Sequence, residues 1–367
     1  MTESERSLNH LDGSPLSYSF KDDSFKDDSF KDDSFKDDSF KDDSFKDDSF
    51  NRSSGFLSVE GRSRANLQAI LNVASSHAQR LSNEDTKSTA LAGKTVTSLF
   101  FEDSTRTRLS FENAARKLSS DVMTFTAGTS SVKKGESIKD TVQTIDAMGV
   151  DAFVVRHSSP GMPHTISHWT DASVINAGDG AHEHPTQALI DSFALLERLG
   201  RNDLEGQNIA IVGDVLHSRV ARSNVWAFTA LGASVTLVGP KTLLPSNIDD
   251  WPVTVSNDFD TVLKKSSVVY MLRIQKERAA TGLMSSVGEY VSRFGLTDAR
   301  YRSLEPNTLI MHPGPMNRGI EISPLAADSD QSLVTRQVAA GIPVRMAVLE
   351  MCINNTINNS TINGNQT

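Results

Sequence analysis

The chain is poor in cysteine, with one residue, Cys352, among 367. A single thiol forms neither an intrachain disulfide nor a cysteine-rich metal site, so both are excluded. Long apolar runs are also missing, and no stretch approaches the roughly 18 residues that a membrane-spanning helix needs. The first fourteen residues are acidic and lack the apolar segment of a secretory signal. These absences predict a soluble, cytoplasmic protein that does not bind membranes.

An excess of charge of one sign occurs only near the N-terminus. Residues 1–50 carry 7 basic and 15 acidic side chains, whereas the remaining 317 residues carry 30 and 31. Because the rest of the chain is nearly neutral, it offers no electrostatic reason to expect nucleic-acid binding.

Six copies of Ser-Phe-Lys-Asp-Asp fill residues 19–48. A period of five fits neither a helix nor a strand, because successive Phe side chains would step about 140° around a helix axis. Each copy adds one net negative charge and too little apolar surface to offset the entropy of ordering. We therefore predict that residues 1–56 form a disordered acidic tail, and that the Asn-rich residues 356–367 form a second disordered tail.

Between the tails, short apolar runs alternate with segments of helical spacing. The runs are 96–101, 152–155, 210–212, 235–238, 268–272 and 309–311. This alternation predicts parallel βαβ units and an α/β fold. Polar residues follow four of the runs directly, namely 103–108, Arg156, Arg273 and His312. Since ligands bind beyond the carboxyl ends of parallel strands, we expect these residues to share one site.

The segment Ser104 to Arg108 reads Ser-Thr-Arg-Thr-Arg, where a predicted strand passes into a helix over 105–118. Ser104 or Thr105 is suited to cap that helix. Hydroxyl groups, a guanidinium and the unpaired amides of a helix start together suit a phosphate group. The alternative is an ordinary helix cap followed by surface arginines. Further on, Lys133 and Lys134 lie in a polar loop and suit an anion.

The segment Asn176 to Gln187 contains His182, Glu183 and His184 in succession. We reject a metal site there, because adjacent side chains rarely point at one ion. His184 and Gln187 instead suit hydrogen bonds to one carbonyl group. The segment 209–219 resembles the first strand of a nucleotide-binding fold but lacks the G-x-G-x-x-G pattern. We therefore predict neither a cofactor nor a metal.

Taken in order, seven segments resemble the catalytic chains of the aspartate/ornithine carbamoyltransferase family, and within it the aspartate carbamoyltransferases. They are SLFFEDSTRTRLSFE, KKGES, VVRH, NAGDGAHEHPTQALID, GDVLHSRVARS, LRIQKER and MHPGPMNRGIEI. The resemblance covers about residues 56–355 and includes neither tail. It implies transfer of the carbamoyl group of carbamoyl phosphate to the amine of L-aspartate, a step of pyrimidine biosynthesis.

The resemblance also implies an architecture of two α/β domains joined by a hinge, each a parallel sheet flanked by helices. We expect residues 57–184 plus 336–355 to form the carbamoyl-phosphate-binding domain, and residues 185–335 the aspartate-binding domain. The implied assembly is a homotrimer with active sites at subunit interfaces. The resemblance leaves open whether the trimer joins regulatory or dihydroorotase subunits in a larger complex.

Matching the family motifs position by position gives the implied site residues. Those for carbamoyl phosphate are Ser104, Thr105, Arg106, Thr107, Arg156, His184 and Gln187. Those for aspartate are Lys134, Arg219, Arg273, Gln275, Gly314 and Pro315. The implied catalytic residues are Arg106, Thr107, Lys134, Arg156 and His184. Those that reach into a neighbouring subunit's site are Ser130 and Lys134.

Two other functions compete with this one. Ornithine carbamoyltransferase shares the Ser-Thr-Arg-Thr-Arg motif but binds a cationic substrate and typically carries a His-Cys-Leu-Pro segment. Here the corresponding residues 312–315 are His-Pro-Gly-Pro, and Arg273 offers a positive charge to a carboxylate. A non-catalytic scaffold of the same fold is the other alternative, and the presence of every expected polar residue disfavours it.

Overall fold

The computed structural model describes residues 55–83, 87–126, 135–274 and 286–354. Both predicted tails lie outside this part of the chain, except for Gly55 and Phe56. Phe56 is fully buried, and its backbone N–H donates to the carbonyl oxygen of Val174 at 2.9 Å. The sequence places these two residues in the tail, but the folded part of the chain includes them.

The first half of the chain forms a four-stranded sheet in which all strands are parallel. Its strands are β1 (Thr95–Phe100), β2 (Asp121–Thr126), β3 (Ala152–His157) and β4 (Ser173–Asp179). They lie in the order β2-β1-β3-β4. Burial of β3 on both faces explains its almost continuous apolar sequence, Ala152 to Val155.

The second half forms a five-stranded sheet, again all parallel. Its strands are β5 (Asn208–Val212), β6 (Ser234–Val238), β7 (Thr254–Ser256), β8 (Val268–Met271) and β9 (Leu309–Met311). They lie in the order β7-β6-β5-β8-β9. The order turns at β5, and such a switch point opens a crevice at the carboxyl ends of the strands.

Helices connect and cover the strands. In chain order they are α1 (Arg64–Ser82), α2 (Thr105–Lys117), α3 (Ile138–Asp146), α4 (Met162–Ser167), α5 (Pro185–Leu199), α6 (Arg219–Ala230), α7 (Phe259–Leu263), α8 (Val287–Phe294), α9 (Asp298–Arg302), α10 (Pro324–Ala327) and α11 (Val334–Ile353). Helix α5 begins with Pro185, whose missing N–H is no loss there, and ends at Gly200 in the left-handed conformation.

The predicted α/β fold of two parallel sheets flanked by helices is confirmed. All six predicted strands are present, although β3 continues through Arg156 to His157 instead of ending before it. One apolar core runs through α1, α2, α5, α6 and α11 and reaches strands of both sheets. Within the described ranges, no helix has both the length and the apolar content to span a membrane.

Candidate active site

A cavity of about 770 Å³ lies at the carboxyl ends of the strands, between the two sheets. It brings together most of the residues that the sequence analysis assigns to the site. These are Ser104, Thr105, Arg106, Thr107, Arg156, His184, Gln187, Arg219, Arg273, Gly314 and Pro315. The other three, Ser130, Lys134 and Gln275, lie outside the described residues.

The Ser-Thr-Arg-Thr-Arg segment occupies the turn from β1 into α2. Ser104 is at the N-cap position, but its hydroxyl makes no capping hydrogen bond, so the predicted cap is not formed by this side chain. Thr105 is the first helical residue and Thr107 is buried. The first amides of α2 therefore line the cavity without a side-chain cap, which suits an anionic ligand.

Arg106 links the start of α2 to the loop after β9. Its Nη1 donates to the carbonyl oxygen of Pro313 at 3.2 Å. Gly314 follows with φ of +62°, and the Arg106 guanidinium fills the place where a Cβ at position 314 would stand. The loop is held by the ring of His312, whose Nδ1 accepts from the Gly314 N–H at 2.8 Å. A glycine at 314 thus allows the arginine to lie against the loop backbone.

Glu102 joins two of the predicted arginines. Its Oε1 accepts from Arg156 Nη2 at 3.1 Å and from Arg219 Nη2 at 2.7 Å, and its Oε2 accepts from Arg219 Nη2 at 2.9 Å. Burial alone would raise the pKa of Glu102, but the hydrogen bonds and charges of the two arginines outweigh it and lower that pKa. The carboxylate therefore fixes guanidinium groups from β3 and α6 beside each other.

His184 is buried at the start of α5, where its backbone N–H donates to Ser223 Oγ at 2.9 Å. Burial first, and then the positive charges of Arg156, Arg345 and Arg219, hold the pKa of His184 well below its ordinary value. Its ring is therefore neutral, with one nitrogen as donor and the other as acceptor. Nδ1 makes no hydrogen bond with any described residue.

The two residues before His184 are engaged elsewhere. Glu183 accepts hydrogen bonds from the Val59 N–H at 3.0 Å and from Ser223 Oγ at 2.9 Å. His182 Nδ1 lies 3.0 Å from Asp179 Oδ2, and this hydrogen bond raises the pKa of the histidine. Within the part of the chain that the structure describes, no cluster of three metal-ligating side chains occurs.

Among the cavity residues that the sequence reasoning did not assign to the site are Glu102 and Arg345. Arg345 is buried on α11 and donates to Ser110 Oγ at 2.8 Å, and burial lowers its pKa to about 9. Each carried a signal in the sequence. Glu102 directly precedes the cationic motif, and Arg345 is a lone cation in the apolar stretch 339–349.

The cavity is predominantly cationic. Its basic side chains are Arg106, Arg156, Arg219, Arg273 and Arg345. The acidic ones are Glu102, Asp103 and Asp214. Such a surface suits a ligand that carries several negative charges, because planar guanidinium groups bind phosphates and carboxylates through paired hydrogen bonds.

Two family models match the chain. Residues 55–197 match the carbamoyl-P binding domain of aspartate/ornithine carbamoyltransferase, and residues 205–352 match its Asp/Orn binding domain. Among curated relatives, the aspartate carbamoyltransferase catalytic subunit of Clavibacter sepedonicus is 54% identical over 306 residues, which cover 81% of this chain and 96% of the relative. That of Thermobifida fusca is 52% identical over 301 residues, covering 82% and 96%.

Solved structures agree with these matches. Aspartate transcarbamoylase from Trypanosoma cruzi, in complex with N-(phosphonacetyl)-L-aspartic acid, is 31% identical with a TM-score of 0.72, covering 82% of this chain and 96% of that one. The catalytic subunit of M. jannaschii aspartate transcarbamoylase is 33% identical with a TM-score of 0.72, covering 82% and 98%. This chain belongs to the aspartate/ornithine carbamoyltransferase family.

Proposed function

We propose that this chain is an aspartate carbamoyltransferase, which transfers the carbamoyl group of carbamoyl phosphate to the amine of L-aspartate and releases phosphate. The observation that carries the proposal is the convergence of four predicted arginines and a neutral histidine in one cavity. Carbamoyl phosphate and aspartate together bring about four negative charges, and the arginines neutralise them without a metal. The product of this reaction would enter pyrimidine synthesis in the cytoplasm.

The start of α2 is the proposed phosphate site. Ser104, Thr105 and Thr107 offer hydroxyl groups, and the free amides of the helix start offer further donors. Arg106 would leave the carbonyl of Pro313 to contact the phosphate and neutralise charge as it departs. This arrangement would leave the carbamoyl group directed toward the centre of the cavity.

The proposed carbamoyl site lies beside it, between β3 and α5. Attack by the aspartate amine on the carbamoyl carbon places negative charge on the carbonyl oxygen. Thr107, Arg156 and His184 would donate to that oxygen, and losing one such donor typically costs about 3–4 kcal/mol of barrier. A neutral His184 donates one hydrogen bond without adding a charge that the arginines would repel. Orientation of the two substrates would supply much of the remaining rate.

The proposed aspartate site is formed by the second sheet. Arg219 at the start of α6 and Arg273 after β8 would bind the two carboxylates, beside the backbone of Gly314 and Pro315. Gln275 is assigned to the same site from the family motif. We assign residues 57–184 plus 336–355 to the carbamoyl-phosphate domain and 185–335 to the aspartate domain, with closure at a hinge between them. The packing of α11 against α1 and α2 supports grouping the C-terminal helix with the first domain.

Ser130 and Lys134 are proposed to complete the site of a neighbouring subunit in a homotrimer, with or without further regulatory or dihydroorotase subunits. Subunit mixing tests this. Arg106→Ala trimers and Lys134→Ala trimers should each be inactive, and mixed trimers should recover activity at sites that receive both intact residues. An absence of recovery in mixed trimers of confirmed composition would refute a shared site.

The substrate assignment is tested by turnover of aspartate and of ornithine at equal carbamoyl phosphate concentration. We expect aspartate to be used and ornithine to be rejected, because the cationic cavity repels a second amine. Arg106→Ala should abolish turnover while the trimer persists in sedimentation. The control is Arg116→Ala, which removes a charge from the far end of the same helix and should retain turnover. Preference for ornithine would overturn the assignment.

A further inference from the structure

Asp191 is a fully buried carboxylate on α5, one turn after Gln187. Four side chains from different elements donate to it. Oδ1 accepts from Gln187 Nε2 and Gln337 Nε2, both at 2.8 Å. Oδ2 accepts from Tyr270 Oη at 2.6 Å and Asn224 Nδ2 at 3.0 Å. The carboxylate therefore connects α5, α6, β8 and α11 through hydrogen bonds alone.

Four donors match the four acceptor positions of an ionised carboxylate. Burial raises the pKa of Asp191, and the four hydrogen bonds oppose that rise. Burial and the nearby carboxylate also raise the pKa of Tyr270, so its hydroxyl stays protonated and donates. A protonated carboxyl would turn its own O–H toward one of these donors, which disfavours that form.

The carboxylate fixes which end of each neighbouring amide faces away from it. Because Gln187 donates its Nε2 to Asp191, its Oε1 is the end left for the cavity, and no described residue donates to that oxygen. Gln337 is fixed in the same way, and its Oε1 accepts from the His312 N–H at 3.1 Å. One buried carboxylate thus sets the orientation of two side-chain amides. That of Gln187 faces the cavity, and that of Gln337 holds the 312–315 loop.

We propose that Asp191 is a positioning residue that orients the Gln187 amide so that the cavity presents a hydrogen-bond acceptor to the acyl group of the substrate. The inference rests on the proposed function, in which Gln187 contacts the carbamoyl group. An acceptor at this point selects an acyl phosphate that carries an N–H donor. A methyl group in its place leaves Gln187 Oε1 unpaired, so the acetyl analogue binds less well.

The test compares carbamoyl phosphate with acetyl phosphate, which carries a CH₃ group in place of the NH₂ group. Asp191→Asn keeps the shape of the side chain but presents an NH₂ group where a carboxylate oxygen accepted. Gln187 would then turn its Oε1 toward that NH₂ group, and its own NH₂ group would face the cavity. The ratio of the acetyl phosphate inhibition constant to the carbamoyl phosphate KM should fall about tenfold. The inhibition constant of inorganic phosphate should change by less than about threefold, because no phosphate contact is altered.

Tyr270→Phe is the matched control, since it removes a donor to the other oxygen of Asp191 and leaves Gln187 untouched. It should lower the melting temperature and keep the ratio. In a Gln187→Met background, Asp191→Asn should change the ratio no further. An unchanged ratio in Asp191→Asn, or the same fall in Tyr270→Phe, would overturn the inference.

If Asp191→Asn does not fold, Gln187→Met alone remains decisive. It keeps the length of the side chain and removes the acceptor, so the ratio must fall for the inference to stand. Failure of the proposed function is distinct, because the wild-type chain would then not carbamoylate aspartate. Failure of this inference leaves wild-type turnover intact and shows only in the ratio, which then fails to fall in the variants that should lower it.

Discussion

Replacing Glu102 by Gln tests how the cavity keeps two arginines in place. The substitution retains the shape of the side chain but removes its charge, and its NH₂ group cannot accept the bond that Arg219 donates to Oε2. The side chains of Glu102, Arg156 and Arg219 are 29%, 11% and 18% exposed, so this cluster lies between a surface pair and a buried one.

The expected loss follows from these exposures. Surface pairs contribute up to about 1 kcal/mol, and a hydrogen bond to a charged group about 1.5–3 kcal/mol. We therefore expect the free energy of unfolding to fall by about 2 kcal/mol. Without the carboxylate the two guanidinium groups repel each other, as the lowering of the Arg156 pKa by burial and by Arg219 indicates. Misplaced arginines should lower kcat/KM for aspartate between about 10- and 100-fold.

Steady-state kinetics and urea unfolding measure these two effects, with Asp103→Asn as the control. Asp103 lines the same cavity, is exposed, and makes no hydrogen bond or ion pair with the described residues. Asp103→Asn therefore changes the charge of the cavity without releasing an arginine, and it should alter kcat/KM by less than about threefold. If Glu102→Gln behaves like Asp103→Asn in both measurements, the orientation argument is wrong.

The remaining predictions concern pH and the N-terminus. Because the pKa of His184 is depressed in the folded chain, the unfolded state binds a proton first, so stability should be complete above about pH 6.5 and fall as the pH drops below it. Urea unfolding from pH 7.5 to 5 should show this slope, which His184→Gln should reduce by up to about 1.4 kcal/mol per pH unit; an identical slope in the variant would refute a neutral histidine. Deleting residues 1–50 should leave kcat and KM unchanged, since the composition of this segment supports no core. Phe56→Ala, six residues beyond that deletion, should cost about 3–5 kcal/mol in unfolding experiments, and a negligible loss would contradict its place in the core.

The fold was largely predictable because its signal is local. Each predicted strand is a short apolar run, five of the six are followed directly by a Gly, Arg or His, and the structure places a strand at every one. Strands β2, β4 and β7 were not predicted, and β7 is only three residues long. The sequence of β2, Asp-Val-Met-Thr-Phe-Thr, mixes polar and apolar residues, and β4 ends in Asn-Ala-Gly-Asp, which has the composition of a turn. Pairing with neighbouring strands overrides these local preferences.

The residues that line the cavity were predictable where the motif itself carries the signal, as in Ser104 to Thr107. They were not predictable where the contact joins distant parts of the chain. Glu102 meets Arg219 across 117 positions, and Gln337 meets Asp191 across 146. Nothing local to either residue identifies its partner. Phe56 was missed for a similar reason, since it follows the polar residues 51–54 and its partner strand lies more than 100 residues away.

The backbone pairing of Phe56 protects one edge of the first sheet. Strand β4 is the outermost strand there, and an outermost strand exposes unpaired N–H and C=O groups to which other chains can add. The carbonyl oxygen of Phe56 accepts a hydrogen bond from the Asn176 N–H at 3.0 Å, and its N–H donates to the carbonyl oxygen of Val174. Phe56 therefore occupies part of that edge. Shortening the chain beyond residue 54 would uncover these groups, and self-association of the shortened protein would be the consequence.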